Sequence, residues 1–123
     1  VSKVRPSDGA ILGTYTVGTR PQGLAFDGSH IGVVNIGANP VTKMTTAGVV
    51  LGTYTVGANP LTAVFDGAYL WVSNHSGNSV SKLAVSTAAV VGMYAVGKSP
   101  FGLAFDGANI WVGNQGSNTV SKL

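Results

Sequence analysis

Residues 60–97 read PLTAVFDGAYLWVSNHSGNSVSKLAVSTAAVVGMYAVG, and within them four short apolar runs are separated by turn-forming residues. The first run, PLTAVFD (60–66), meets the second, AYLWVSN (68–74), across Asp66-Gly67. Asp-Gly between two β-prone runs signals a hairpin, because glycine accepts the positive φ of a tight turn. Serine, asparagine and glycine then fill the turn NHSGNS (74–79), leading to a third run, SVSKLAV (79–85), and a fourth, VVGMYAVG (90–97). The stretch predicts a four-stranded antiparallel unit.

The unit recurs. LGTYTVG stands word for word at 12–18 and 51–57, and returns as VGMYAVG at 91–97. Phe-Asp-Gly begins at Phe26, Phe65 and Phe105, and VSKV, VTKM, VSKL and VSKL begin at Val1, Val41, Val80 and Val120. Every marker steps by 39 or 40 residues, which divides the chain into repeats 1–40, 41–79 and 80–119 plus the start of a fourth. Four-stranded antiparallel units at this period predict an all-β fold, a β-propeller with three blades per chain. A parallel β-solenoid, whose rungs are usually shorter, and an open sandwich are the competing folds. Small residues (Gly23, Ala25, Ala63, Gly102 and Ala104) suit the crowded axis lined by the innermost strand. Trp71 and Trp111 suit the wedge between blades, and Gly32 replaces them in the first repeat, so one wedge must be filled differently or left thinner.

Composition agrees with one modest domain. The 123 residues are 45% hydrophobic and 9% charged, with 18 glycines and 5 prolines spread along the chain. No cysteine is present, so neither disulfides nor thiolate chemistry enter, and no apolar run is long enough to insert into a bilayer as a helix. The net charge of +3 reflects few acids rather than clustered bases, and no nucleic-acid partner is expected. With neither an initiator methionine nor a signal peptide, the first residue reads as a processed end, a trimmed one, or part of something longer.

The pattern PFGLAFDGANIWVGNQGSNTVSKL (100–123), combined with GTYTVG, resembles the bacterial propeller repeats grouped with the YVTN and NHL families and virginiamycin B lyase. The resemblance spans the chain. It implies a propeller of five to seven or more blades and a secreted or cell-envelope location. It implies little about activity, since such blades host enzymes, binders and scaffolds alike. Three blades cannot close a ring, so either two chains pair as a homodimer with six blades or the chain is a segment of a longer propeller. Segments 1–4 and 120–123 both read as the third strand of a blade and compete for one place.

Catalytic chemistry is not expected, nor is a cofactor or metal. The chain has no glutamate; Asp27, Asp66 and Asp106 occupy equivalent turns, and Asp8 lies in another. These turns lack the converging oxygens that calcium needs. The lyase-like chemistry implied by the resemblance needs a catalytic histidine and glutamates holding magnesium. His75 is its only nominee, and His30 falls on the opposite rim, which also excludes a zinc pair. No nucleophile elbow or phosphate loop is present. Lys3, Lys43, Lys82 and Lys122 recur on the third strand and are expected on a solvated face. What varies between repeats is one rim, formed by the fourth-to-first and second-to-third strand loops. There Arg20, Gln22, Asn35, Asn74, His75, Lys98, Phe101, Asn114 and Gln115 form the candidate site for a glycan or other small polar ligand. The alternatives are a purely structural, self-assembling piece and, last, a lyase.

Overall fold

The structure is a computed structural model describing residues 1–37 and 40–123, and the described residues contain thirteen strands and no helix. In chain order these are β1 (Ser2–Val4), β2 (Ile11–Thr14), β3 (Pro21–Phe26), β4 (His30–Asn35), β5 (Pro40–Thr45), β6 (Val50–Thr55) and β7 (Pro60–Phe65). They continue as β8 (Tyr69–Asn74), β9 (Ser79–Ala84), β10 (Val90–Ala95), β11 (Pro100–Phe105), β12 (Ile110–Asn114) and β13 (Thr119–Lys122). All pairing is antiparallel.

Two sheets are complete, β3-β4-β5-β6 and β7-β8-β9-β10; they are flanked by the pair β1-β2 and by the three-stranded β11-β12-β13. The sequence suggests three four-stranded blades, and the structure instead divides its strands into sheets of two, four, four and three. The reason lies in where a unit starts. The three larger sheets open on a proline, Pro21, Pro60 or Pro100, so residues 1–14 supply only the outer two strands of a unit and residues 100–122 only the inner three.

Successive sheets stack face to face. The inner strands β3, β7 and β11 lie in a row, and small residues let them approach: a Cβ added at Gly23 would stand 2.6 Å from the Leu61 carbonyl oxygen. Between the two full sheets, Val34, Val41, Val56, Leu70, Val72 and Leu83 form one buried cluster, with Ala25 and Ala63 against it. A second cluster, Trp71, Val80, Ile110 and Val112, joins the second full sheet to the C-terminal one. A fully buried aliphatic side chain contributes about 1.5–3 kcal/mol, so these two seams hold the stack. Ser73 adds a polar tie, its hydroxyl donating to the Phe101 carbonyl at 2.9 Å.

The wedge widens outward, and the two seams fill it differently. In the second, Trp71 packs 5.5 Å from the Tyr94 ring, with Lys82 Nζ 3.8 Å from the centre of Tyr69 and 5.0 Å from that of Trp71. In the first, Gly32 leaves that place to Leu70, and Asp27, Lys43, Val85 and Ala88 surround a cavity of only about 20 Å³. With Leu70 in the place of a tryptophan, this wedge is filled differently and by a smaller side chain.

One lysine departs from expectation. Lys43 lies on the same side of its strand as Val41 and reaches the next sheet, donating to the Val85 carbonyl, and Lys3 donates likewise to Thr46 at 3.1 Å. Lys43 is half-buried and tethers the outer end of its wedge, whereas Lys3 bonds across and stays exposed.

Burial fixes the stability pattern. Leu83→Ala, at 1% exposure, is expected to cost about 2–5 kcal/mol by urea denaturation. Gly32→Trp, which copies the other repeats, is expected to overpack the thin wedge and destabilise by about 1–3 kcal/mol in the same measurement.

Candidate ligand-binding rim

Two rims result from strand alternation. On one lie the Phe-Asp-Gly turns. Each aspartate accepts from the backbone two and three residues on: Asp66 Oδ1 takes Ala68 N at 2.8 Å and Tyr69 N at 2.6 Å. Its second oxygen takes the indole N–H of Trp71 at 2.6 Å, and Asp106 does the same with Trp111 at 2.6 Å. Asp27, with no tryptophan to meet, lies 3.4 Å from His30 Nδ1 instead. All three carboxyls are consumed by their own turns. The link from aspartate to indole escaped sequence reading, although the spacing Asp-x₄-Trp, absent only from the repeat with Gly32, carries it.

These bonds set the acid response. For Asp66, burial raises the carboxyl pKa, and the Trp71 indole, the Tyr69 and Ala68 amides and Lys82 together outweigh it, leaving the pKa lowered. Asp27 is lowered in the same way, burial being overcome by His30 and Ser29, and Asp106 is held well below the carboxylate range, chiefly by Trp111.

On the opposite rim the loops are tied by one repeated bond. Ile36 N donates to the Arg20 carbonyl at 3.2 Å, His75 N to Asn59 at 3.0 Å and Gln115 N to Ser99 at 3.0 Å. Arg20, Asn59 and Ser99 take positive φ of 55°, 53° and 52°, a conformation that turns the chain just before each proline. Neighbouring sheets are joined here too, Asn78 Oδ1 accepting from Ser99 N at 2.9 Å.

The rim brings the candidate residues together in two groups. Asn35, Asn74 and Asn114 are buried beneath it. Asn74 Nδ2 donates to Ser79 Oγ at 3.1 Å and Ser81 Oγ at 2.9 Å, and Asn114 to Thr119 at 3.2 Å and Ser121 at 2.9 Å. Asn35 reaches Thr42 Oγ1 at 3.0 Å, with the Val33 and Pro40 carbonyls at 3.2 and 3.4 Å. Gly18, Gly57 and Gly97 lie against these amides so closely that a Cβ would come within 2.7, 2.5 and 2.6 Å of the asparagine Cγ. Arg20, Gln22, Lys98, Phe101 and Gln115 stand exposed, and His75 is half-buried. Phe101, Asn114 and Gln115 line an open cleft of about 450 Å³, together with Asn118 and Thr119, which the sequence did not single out. Gln22 lines another, of about 200 Å³, with Val1, Ser2, Pro21 and Leu24. His75 and His30 sit at opposite ends of their strands, and among the described residues no three His, Cys, Asp or Glu side chains converge as a metal site.

A lowered carboxyl pKa means that the unfolded chain takes up protons first as pH falls. The stability from Asp27, Asp66 and Asp106 is therefore present above about pH 4 and lost as pH falls below it toward their folded values. Urea midpoints are expected to hold from pH 7 to 5 and decline below 4, and Asp66→Asn to start lower and decline less.

No protein-family model and no curated protein matches the chain. Solved structures do. Virginiamycin B lyase from Staphylococcus aureus superposes with a TM-score of 0.82 at 21% identity, over 98% of this chain and 43% of the lyase. Hydrazine synthase from Kuenenia stuttgartiensis gives 0.77 at 26% identity, over 94% of this chain and 36% of that one. A functionally unknown protein from Desulfotomaculum acetoxidans gives 0.76 at 20% identity, over 99% and 47%. The chain thus spans less than half the length of each. What the likeness carries is the fold, a β-propeller module built of four-stranded antiparallel sheets.

Proposed function

We propose that the chain is a non-catalytic β-propeller binding module of the YVTN/NHL type, which takes a glycan or other small polar ligand on the rim of the fourth-to-first and second-to-third loops. One observation carries the reading. The residues conserved in type between repeats are spent on the fold, the aspartates in their turns and the asparagines under the rim. The residues that differ between repeats, Arg20, Gln22, Lys98, Phe101 and Gln115, are the ones left open to solvent or half-open. Exposed arginine, lysine and glutamine side chains, together with an aromatic ring, suit the hydroxyls and the face of a sugar. The resemblance to bacterial secreted repeats supports a secreted or cell-envelope location.

A second reading, a scaffold whose activity is assembly, is favoured by the large apolar side chains exposed at both ends of the stack, Leu24 and Phe26 at one and Trp111 and Val120 at the other. A lyase comes third: the glutamates that the resemblance implies for its magnesium are missing from this sequence.

Glycan-array binding followed by thermal shift separates the first two. A ligand at one hundred times its Kd stabilises by about 2.7 kcal/mol, so Tm is expected to rise by several degrees. Lys98→Ala and Gln115→Ala are expected to abolish the rise without lowering the unliganded Tm. A panel of glycans and small polar compounds that leaves Tm unmoved selects the scaffold.

A further inference from the structure

The two ends of the stack are unpartnered, and they match one another. On the outer face of β11-β12-β13, Trp111 is 38% exposed and Val120 65%, whereas Trp71 and Val80, one repeat earlier, are 8% and 0% exposed. Gly102 has nothing within 4 Å of where a Cβ would stand, whereas its counterpart Gly23 is pressed against the backbone of β7. At the other end Leu24 is 55% exposed, although its counterpart Leu103 packs into the second cluster.

Between the pair β1-β2 and the first full sheet lies a cleft of about 400 Å³, and Lys3, Tyr15, Leu24 and Ile31 line it. Within the chain, Trp71 is surrounded by Lys82, Tyr94 and Ile110. Lys3, Tyr15 and Ile31 are the repeat counterparts of those three residues. Trp111 already has an ammonium from Lys122 of its own sheet, 5.3 Å from the ring centre, and the cleft supplies the phenol and the aliphatic neighbour that it lacks, on a sheet edge continuous with the established seams. We propose that Trp111 of one copy of this chain seats in this cleft of a second copy, and reciprocally, so that two chains close a six-bladed ring through two equivalent seams. The inference rests on the propeller reading and not on ligand binding at the rim.

Closure also decides between the two strands that read alike. β13 is anchored: Asn114 donates to Thr119 and Ser121, Leu123 packs on the second cluster, and Ile110 and Leu123 exchange backbone bonds at 3.0 and 2.9 Å. β1 is exposed along its length, and Val4, the counterpart of Leu123, is 50% exposed. β13 therefore keeps its place, and β2 of the partner leaves β1 to pair with it, an exchange of one edge strand that makes the blade whole.

Light scattering of the full chain across a dilution series tests this. The expected species has twice the 12.4 kDa chain mass. Trp111→Ala and Leu24→Glu alter side chains exposed in the single chain, so both variants are expected to keep the wild-type far-UV spectrum and to scatter at single-chain mass. Mixing the two is expected to recover part of the dimer, since one seam then has both native sides. The chain has no cysteine, so Thr14→Cys with Ser121→Cys, oxidised, reports the exchanged strand directly as a covalent dimer. A wild-type chain at single-chain mass overturns the proposal, as does an open ladder of higher masses or a dimer that survives in both variants. A single chain that still shows a ligand-induced Tm shift overturns the assembly and leaves the rim reading standing.

Discussion

Both complete sheets are apolar on each face, and that constraint governs the rest. A four-stranded sheet with valine and leucine on either side has no stable life alone in water. Its faces are dry only where another sheet lies against them, as between Val34 and Val41 on one side and Leu70, Val72 and Leu83 on the other. The small residues of the inner strands, the tryptophan in the wedge and the lysine across its outer end each serve that contact at a different radius. Stability is correspondingly quasi-one-dimensional, a sum over seams rather than the property of one central core.

Polar groups follow a complementary rule: the buried side-chain donors of a sheet are met mainly within it. The buried asparagine at the end of a second strand donates to hydroxyls on the third strand of its own sheet, and the aspartate closes its own turn and holds its own indole. Seams between sheets are left mainly to apolar contact, with ties such as Ser73 to Phe101 at the rim. This division lets one sheet be copied into the next without rewriting a shared network, and it leaves the loop positions free to vary.

The sequence made the repeat, the strand order within a unit and the outward-facing rim legible, because period and turn chemistry are local. Asp-Gly at 66–67 and Asn-rich 74–79 mark turns that the structure contains. What could not be read was set across distance. The side of the third strand that carries Lys43 depends on how far the wedge has opened at that radius, and alternation alone left its target, Val85 of the next sheet, invisible. The indole acceptor was missed because turn formation already explained the aspartate. The uneven sheets agree with segments 1–4 and 120–123 reading as third strands, since repeats counted from Val1 are out of phase with sheets that start at proline.

Gly32 has a consequence beyond the thin wedge it leaves. The outer strands around 12–18 and 51–57 are identical in sequence, so nothing in them tells a folding chain which unit it is completing. A chain of interchangeable parts risks joining a correct strand to the wrong copy, a hazard typical of repeat proteins. Only the unit with glycine at this point accepts the Leu70 methyl group against its backbone, where a Cβ would stand 2.9 Å away. A single missing side chain thus makes this seam differ in shape from the next, although the strands flanking it are near-identical.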